Sequence, residues 1–156
     1  MLTIFFVLSI IVIGLDQWLK LWTVANLGIG ENQTMIEPFF SLNYVQNTGA
    51  AWSILEGETT FFTIITIIAV IAVIFLMVRF RKDSKFLSLG LALVLAGAIG
   101  NFIDRIRLGY VIDMIQVDFI QFPIFNIADC SLVIGVICIF IYTIFEDRLK
   151  GKNHGG

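Results

Sequence analysis

The chain has 156 residues, of which 58% are hydrophobic and only 14% are charged, and its formal net charge is −2. A soluble domain of this length would be more charged and less apolar, so the composition excludes an ordinary soluble protein and predicts one membrane-embedded domain over residues 1–156. There is no basic stripe with interleaved aromatic residues, so nucleic acid is not an expected partner.

Apolar runs predict four transmembrane helices, over about residues 2–19, 61–78, 86–103 and 126–145. The first run lacks the basic start and the small-residue cleavage site of a signal peptide, so we expect a retained helix. The last run is free of charge only from Ser131 to Phe145, which is shorter than the ~20 residues that a span needs. The fourth helix is therefore expected to begin near Asn126, with Asp129 inside or at the edge of the bilayer.

The segment from about residue 23 to 60 is expected to form a small amphipathic sheet, a β-cradle, between the first two helices. Phe39–Val45 is rich in aromatic and β-branched residues and predicts a strand. Asn47-Thr48-Gly49 predicts a turn, and a second strand through Ala51–Ile54 is expected after it.

The distribution of lysine and arginine predicts the orientation of the chain. Most of these residues lie between the second and third helices or in the tail: Arg79, Arg81, Lys82, Lys85, Arg148, Lys150 and Lys152. The positive-inside rule then places both termini in the cytoplasm and the cradle outside. With this topology four carboxylates converge on the outer leaflet: Asp16, Asp104, Asp113 and Asp129. Acids in or beside spans cost free energy, so they indicate a functional site.

Asp113 and Asp129 are the candidate catalytic pair. Two nearby carboxyl groups in a low-dielectric site share one proton, and such a pair can activate water against a peptide bond. Each residue also has a structural interpretation. Asp113 could form a turn in an amphipathic surface segment, and Asn126 with Asp129 could simply start a helix.

Further polar residues surround the predicted pair. Asp16 and Lys20 are spaced i,i+4 with the acid first, which favours either an anchor at the site or an interfacial ion pair. Gly97, Asn101 and Arg105 share one helix face, and Asp104 lies beside it. This face predicts a polar packing seam or a set of residues that orient the site, and we favour the orienting role.

No metal or cofactor is expected. The single histidine, His154, lies in the tail, and Cys130 and Cys138 stand more than two turns apart on one helix, too far apart to bridge. The histidine and the cysteines do not form the ligand set of a zinc site or of a Cys–His site.

Five motifs together resemble the bacterial lipoprotein signal peptidase (signal peptidase II) family of membrane aspartyl peptidases. They are Asp16-Gln17 with Lys20, Asn47-Thr48-Gly49-Ala50-Ala51, Gly97 through Arg105, Val111-Ile112-Asp113, and Phe125-Asn126-Ile127-Ala128-Asp129. The resemblance implies four transmembrane helices, an extracytoplasmic β-cradle and a short amphipathic helix.

The same resemblance implies the roles of the site residues and the substrate. Asp113 and Asp129 match the catalytic dyad, and the supporting polar positions are Asp16, Lys20, Asn47, Asn101, Arg105 and Asn126. The expected substrates are diacylglyceryl-modified prolipoproteins, cut before the lipidated cysteine. The expected location is the bacterial cytoplasmic membrane, in contact with its lipids.

Two other functions remain as alternatives. Intramembrane acids also build proton relays, so a small proton-coupled transporter is the first. A non-catalytic scaffold with four spans is the second, although it would not explain why polar residues gather at one leaflet.

Overall fold

The computed structural model describes residues 2–49 and 59–145, which form four helices and three strands. The helices are α1 (Leu2–Asn26), α2 (Thr59–Arg79), α3 (Lys85–Leu108) and α4 (Ile127–Ile144), and the strands are β1 (Asn32–Ile36), β2 (Phe40–Asn47) and β3 (Val111–Val117). Each helix is long and apolar enough to cross a bilayer. The predicted class, a mainly helical membrane protein with a small sheet, is confirmed.

Two helices continue beyond the ends that their apolar runs predict. α1 reaches Asn26 because Lys20 and Thr23 are buried against other parts of the protein. α3 reaches Leu108 and ends at Gly109, whose φ of 81° is the left-handed conformation that glycine adopts without strain. The N–H of Gly109 donates to the carbonyl of Arg105 at 3.0 Å, which closes the last turn.

α3 is the central helix and packs against each of the other three. At the end of the bundle opposite the sheet, its apolar residues form a core with α2 and α4 that comprises Val73, Met77, Leu87, Leu91, Ala92, Leu95 and Tyr142. The outer faces of α1, α2 and α4 carry exposed isoleucine, valine and phenylalanine, as lipid-facing helices do. α3 is therefore the element from which a buried polar site can be built.

The sheet is antiparallel and has the order β1-β2-β3. Its third strand comes from the segment between α3 and α4, so the cradle is built from that segment as well as from the one between the first two helices. The strand expected at Ala51–Ile54 lies outside the described residues. The short amphipathic helix that the resemblance implies is not among the elements of residues 2–49 and 59–145.

Apolar packing and backbone pairing both hold the sheet against the helices. Leu42, Tyr44, Ile112 and Met114 pack around Leu27, just beyond the end of α1. The edge of β3 that does not face β2 pairs with Phe125, the residue before the N-cap of α4. The N–H groups of Met114 and Ile115 donate to the carbonyl of Phe125, and the N–H of Phe125 donates to Ile115. This pairing holds β3 beside the first turn of α4.

Candidate active site

Asp113 lies in β3, so its interpretation as a surface turn is wrong. It is 3% exposed. A bulge in β2 places Val45 opposite Asp113, and Asn47 is then a diagonal neighbour on the same face of the sheet. The Nδ2 of Asn47 donates to Oδ2 of Asp113 at 2.9 Å. Asn47, which the sequence assigned to a turn, is thus the last residue of β2 and a direct partner of Asp113.

Asp129 lies in the first turn of α4 and completes a capping box with Asn126. The N–H of Asp129 donates to Oδ1 of Asn126 at 2.9 Å, and the N–H of Asn126 donates to Oδ2 of Asp129 at 3.2 Å. The other carboxylate oxygen accepts a 2.7 Å hydrogen bond from Nδ2 of Asn101 on α3. The predicted helix start is correct, and each oxygen of the Asp129 carboxylate accepts one hydrogen bond inside the site.

Asn126 connects the two aspartates. While its backbone and its Oδ1 bind Asp129, its Nδ2 donates to Oδ1 of Asp113 at 2.7 Å. The same amide lies 3.1 Å from Oδ1 of Asn101 and 3.3 Å from the carbonyl of Ile112. Asn126 is fully buried. One residue therefore fixes both carboxyl groups relative to each other.

The pKa of Asp113 reflects this crowding. Burial raises it from the ordinary value of 3.8 to about 7, and the negative charge of Asp129 acts in the same direction. Hydrogen bonds from Asn47 and Asn126, together with the charge of Lys20, oppose the rise. A carboxyl group with this pKa can hold a proton near neutral pH, which a general acid requires.

Lys20 is the centre of a buried ionic cluster. Its Nζ lies 2.9 Å from Oδ2 of Asp16 and 2.8 Å from Oδ2 of Asp104, and it donates to Oδ1 of Asn101 at 3.1 Å. Lys20 and Asp16 are each 1% exposed, so their pair is a buried one and not the exposed interfacial pair that was the alternative. Gln17 joins the cluster, because its amide donates to Asp104 at 3.0 Å.

Gly97 allows α4 to start close to α3. A Cβ at this position would collide with the carbonyl of Ala128 and would lie 2.6 Å from Cγ of Leu132. Only a residue without a side chain permits this approach. Gly97 thus acts through packing, and it keeps the first turn of α4 within reach of Asn101.

Arg105 lies at the edge of the site. It is half-buried, its guanidinium stands 5.1 Å from the ring centroid of Phe62 on α2, and its Nη2 makes a long contact of 3.5 Å with the carbonyl of Gly49. Its charge interacts with the carboxylates of Asp129, Asp113 and Asp104. It links the α3 face to α2 and to the end of the cradle.

The predicted residues therefore gather in one place, and the structure adds partners that the sequence did not indicate. Gln17 follows Asp16 in its motif, and this adjacency was the one signal for it. The other additions are two backbone N–H groups, that of Ile112, which donates to Asp104, and that of Ala128, which donates to Asp16. No side-chain pattern in the sequence indicates them. Among the described residues no group of three His, Cys, Asp or Glu could hold a metal ion. Cys130 and Cys138 are free thiols.

Comparison with known proteins gives a consistent family match. The family model described as signal peptidase (SPase) II matches residues 8–145. A lipoprotein signal peptidase of Enterococcus faecalis is 54% identical over 155 residues, which cover 98% of this chain and 96% of that protein. A lipoprotein signal peptidase of Latilactobacillus sakei is 47% identical over 146 residues, which cover 94% and 97%.

Solved structures agree with this match. One, described as a bacterial membrane enzyme, superposes with a TM-score of 0.87 at 39% identity and covers 99% of this chain and 94% of its own. A second with the same description has a TM-score of 0.82 at 41% identity, with coverage of 91% and 93%.

Proposed function

The chain belongs to the signal peptidase II family, and from this we propose that Asp113 and Asp129 form the catalytic dyad of an aspartyl endopeptidase. The protein is a multi-pass membrane protease that removes signal peptides from prolipoproteins. The observation that supports the dyad is the position of Asn126, which binds both carboxyl groups at once. Carboxyl groups held this way can divide the work of acid and base between them.

The proposed reaction needs one proton on the pair. The ionised carboxylate takes a proton from a water molecule, and the water oxygen forms a bond to the scissile carbonyl carbon. The carbon–nitrogen bond then breaks, while the protonated carboxyl gives its proton to the leaving amine. The raised pKa of Asp113 supports a protonated partner near neutral pH. No cofactor or metal takes part in this scheme.

The other predicted residues support the dyad in this proposal. Asn101, Asn126 and Asn47 hold the carboxyl groups by hydrogen bonds. The Lys20 cluster, with Asp16 and Asp104, lies behind them. Gly97 permits the close approach of α3 and α4, and Arg105 contacts the end of the cradle, along which an extended peptide would bind.

We further propose that the substrates are diacylglyceryl-modified and are cut before the lipidated cysteine. Such a substrate lies in the outer leaflet with its lipid chains and its signal helix. The charge distribution supports a cytoplasmic position for the α2–α3 loop and both termini in a bacterial cell, which would put the dyad at the outer leaflet. Membrane lipids would surround the exposed apolar faces of the helices.

A proton-coupled transporter is not favoured. A relay would have to reach across the membrane, but the inner parts of the described helices, residues 2–15, 59–78, 86–103 and 130–144, contain no Asp, Glu, Lys or Arg. The polar cluster occupies only one end of the bundle.

The dyad is tested with Asp113→Asn and Asp129→Asn, which keep size and remove the acid. Each should reduce cleavage of a lipidated precursor by at least about 100-fold, since proton transfer contributes on the order of 10²–10⁴. Cleavage is measured by gel shift in detergent. Asp118→Asn is the matched control, because Asp118 is an exposed acid bonded to Ser41 at 2.6 Å. Normal turnover by either dyad variant would contradict the proposal.

A further inference from the structure

The two carboxylates bound by Lys20 also hold the backbone beside the dyad. Oδ1 of Asp16 accepts a 2.9 Å hydrogen bond from the N–H of Ala128. Oδ2 of Asp104 accepts a 3.1 Å hydrogen bond from the N–H of Ile112. Ala128 immediately precedes one dyad residue, and Ile112 immediately precedes the other.

The third N–H of Lys20 is also connected to the dyad, through Asn101. It donates to Oδ1 of Asn101, and the amide nitrogen of Asn101 donates to Asp129 at 2.7 Å. All three donors of the ammonium are thus used, and each begins a path of hydrogen bonds that ends at a dyad residue or at the N–H of the residue before it.

We propose that Lys20 is a positioning residue that sets the separation of the two catalytic carboxyl groups. This inference rests on the dyad of the proposed function. Lys20 belongs to α1, which supplies no reacting group, yet through Asp16 it fixes the start of α4 and through Asp104 it fixes β3. The three paths make one ammonium the common reference point for both carboxyl groups.

A positive charge is needed at this point. Asp16 and Asp104 both approach the same small volume, and two buried carboxylates repel each other unless a cation lies between them. Without the ammonium the two would move apart, and the N–H groups of Ala128 and Ile112 would move with them. A displacement of about 1 Å at a catalytic group costs on the order of 100-fold in rate.

The inference differs from a purely structural role of the cluster in what it predicts for kinetics. At 1% exposure Lys20 cannot touch a substrate. Lys20→Met should therefore lower kcat by about 100-fold while KM stays unchanged, because binding contacts remain and only the dyad geometry is lost. A residue that only holds α1 in place would lower the melting temperature and leave the kcat of the folded molecules as it was.

The control is Ser9→Ala on the same helix. Ser9 is buried, and its hydroxyl donates to the carbonyl of Ala92 on α3 at 2.8 Å, within the inner half of the bundle. This variant also breaks a polar contact between α1 and α3, so it should lower the melting temperature. Its kcat should match that of the parent, because Ser9 has no path to the dyad.

Two further variants decide the question if Lys20→Met does not fold. Asp16→Asn keeps side-chain size and an oxygen for the N–H of Ala128, but it sets an amide N–H against the ammonium of Lys20. In Asp104→Asn one oxygen can still serve both Lys20 and the N–H of Ile112, but the negative charge is lost and the amide N–H faces Nε2 of Gln17. Each should lower kcat at least about 10-fold at constant KM. If Lys20→Met folds and its kcat equals that of the parent, the inference is overturned. If Lys20→Met does not fold, a parent-like kcat in both Asp16→Asn and Asp104→Asn overturns it.

Asp113→Asn and Asp129→Asn are assayed in the same series. If they are inactive while the Lys20 variants turn over normally, the positioning role fails and the dyad stands. If the two dyad variants themselves turn over, the proposed function fails first.

Discussion

Asn126 offers the sharpest test of how the site is held together, because it performs two tasks that different substitutions separate. It caps α4 through its Oδ1, and it bridges to Asp113 through its Nδ2. Asn126→Ser keeps a good N-cap oxygen and removes the amide. Asn126→Ala removes both the cap and the bridge.

The size of each effect follows from the kind of contact that each substitution removes. An N-cap is worth about 1 kcal/mol of folding free energy. A buried hydrogen bond to a charged group is worth about 1.5–3 kcal/mol, and in the proposed mechanism Asp113 becomes charged as it gives its proton to the leaving amine. If about 2 kcal/mol of that bond is used to orient the dyad in the transition state, its loss slows turnover by about 30-fold. Asn126→Ser and Asn126→Ala should therefore lose similar activity, while Asn126→Ala should be less stable than Asn126→Ser by about 1 kcal/mol.

Turnover of a lipidated precursor and thermal unfolding are measured on the same detergent preparations. Asn32→Ser serves as the matched control, since Asn32 is an exposed residue of β1. Parent-like turnover by folded Asn126→Ser would refute the bridging role of Asn126. Equal stability of Asn126→Ser and Asn126→Ala would refute its capping role.

Three further predictions follow from the geometry. Because the pKa of Asp113 is raised to about 7, kcat/KM should fall as the pH rises through about 7, where the pair loses its shared proton. Thermal stability should also fall as the pH rises from about 4 to about 7, because the folded state holds a proton that the unfolded state releases, and this fall should be smaller in Asp113→Asn. Constant kcat/KM and constant thermal stability across these pH ranges would contradict the two expectations. Gly97→Ala should cost about 1–3 kcal/mol of stability and should also reduce kcat. Gly135→Ala should reduce stability alone, because its Cβ would crowd the carbonyl of Gly90 at a point of the same helix pair further from the dyad. Equal kcat in the two glycine variants would contradict this. A double Cys130→Ala, Cys138→Ala variant should cleave at close to the parent rate, since a thiol nucleophile needs an adjacent base or a lowered pKa; loss of turnover in a folded double variant would argue for a thiol mechanism.

The helices could be predicted from the sequence because each is a long apolar run, but their ends could not. α1 continues past Lys20 because Asp104 and Asn101, far away in the chain, bury and bind that ammonium. Local hydropathy treats a lysine as the end of a span and cannot detect a distant partner. The same limit explains why the Asp16–Lys20 pair could also be interpreted as an exposed one.

β3 was the element most easily missed. Its first four residues, Val111 to Met114, are all buried, so both faces of the strand are covered and the alternation that marks a half-exposed strand is absent. Asp113 therefore looked like an acid in an apolar loop. The motifs indicated which side chains belong to the site. Their hydrogen bonds depend on the β2 bulge and on the N–H groups of Ile112 and Ala128, which no motif encodes.

The sheet joins the segment after α1 to the segment after α3, so the proposed dyad can be complete only late in synthesis. β2 is made early in synthesis, β3 only after α3, and Asp129 arrives with α4, the last of the four helices to leave the ribosome. Asp16 cannot bind the N–H of Ala128 until that helix has begun to insert. A growing chain with three helices in the membrane therefore holds Asp113 of the proposed dyad without its partners Asn126 and Asp129. With the dyad proposed above, proteolysis would begin only when α1 and α4 meet.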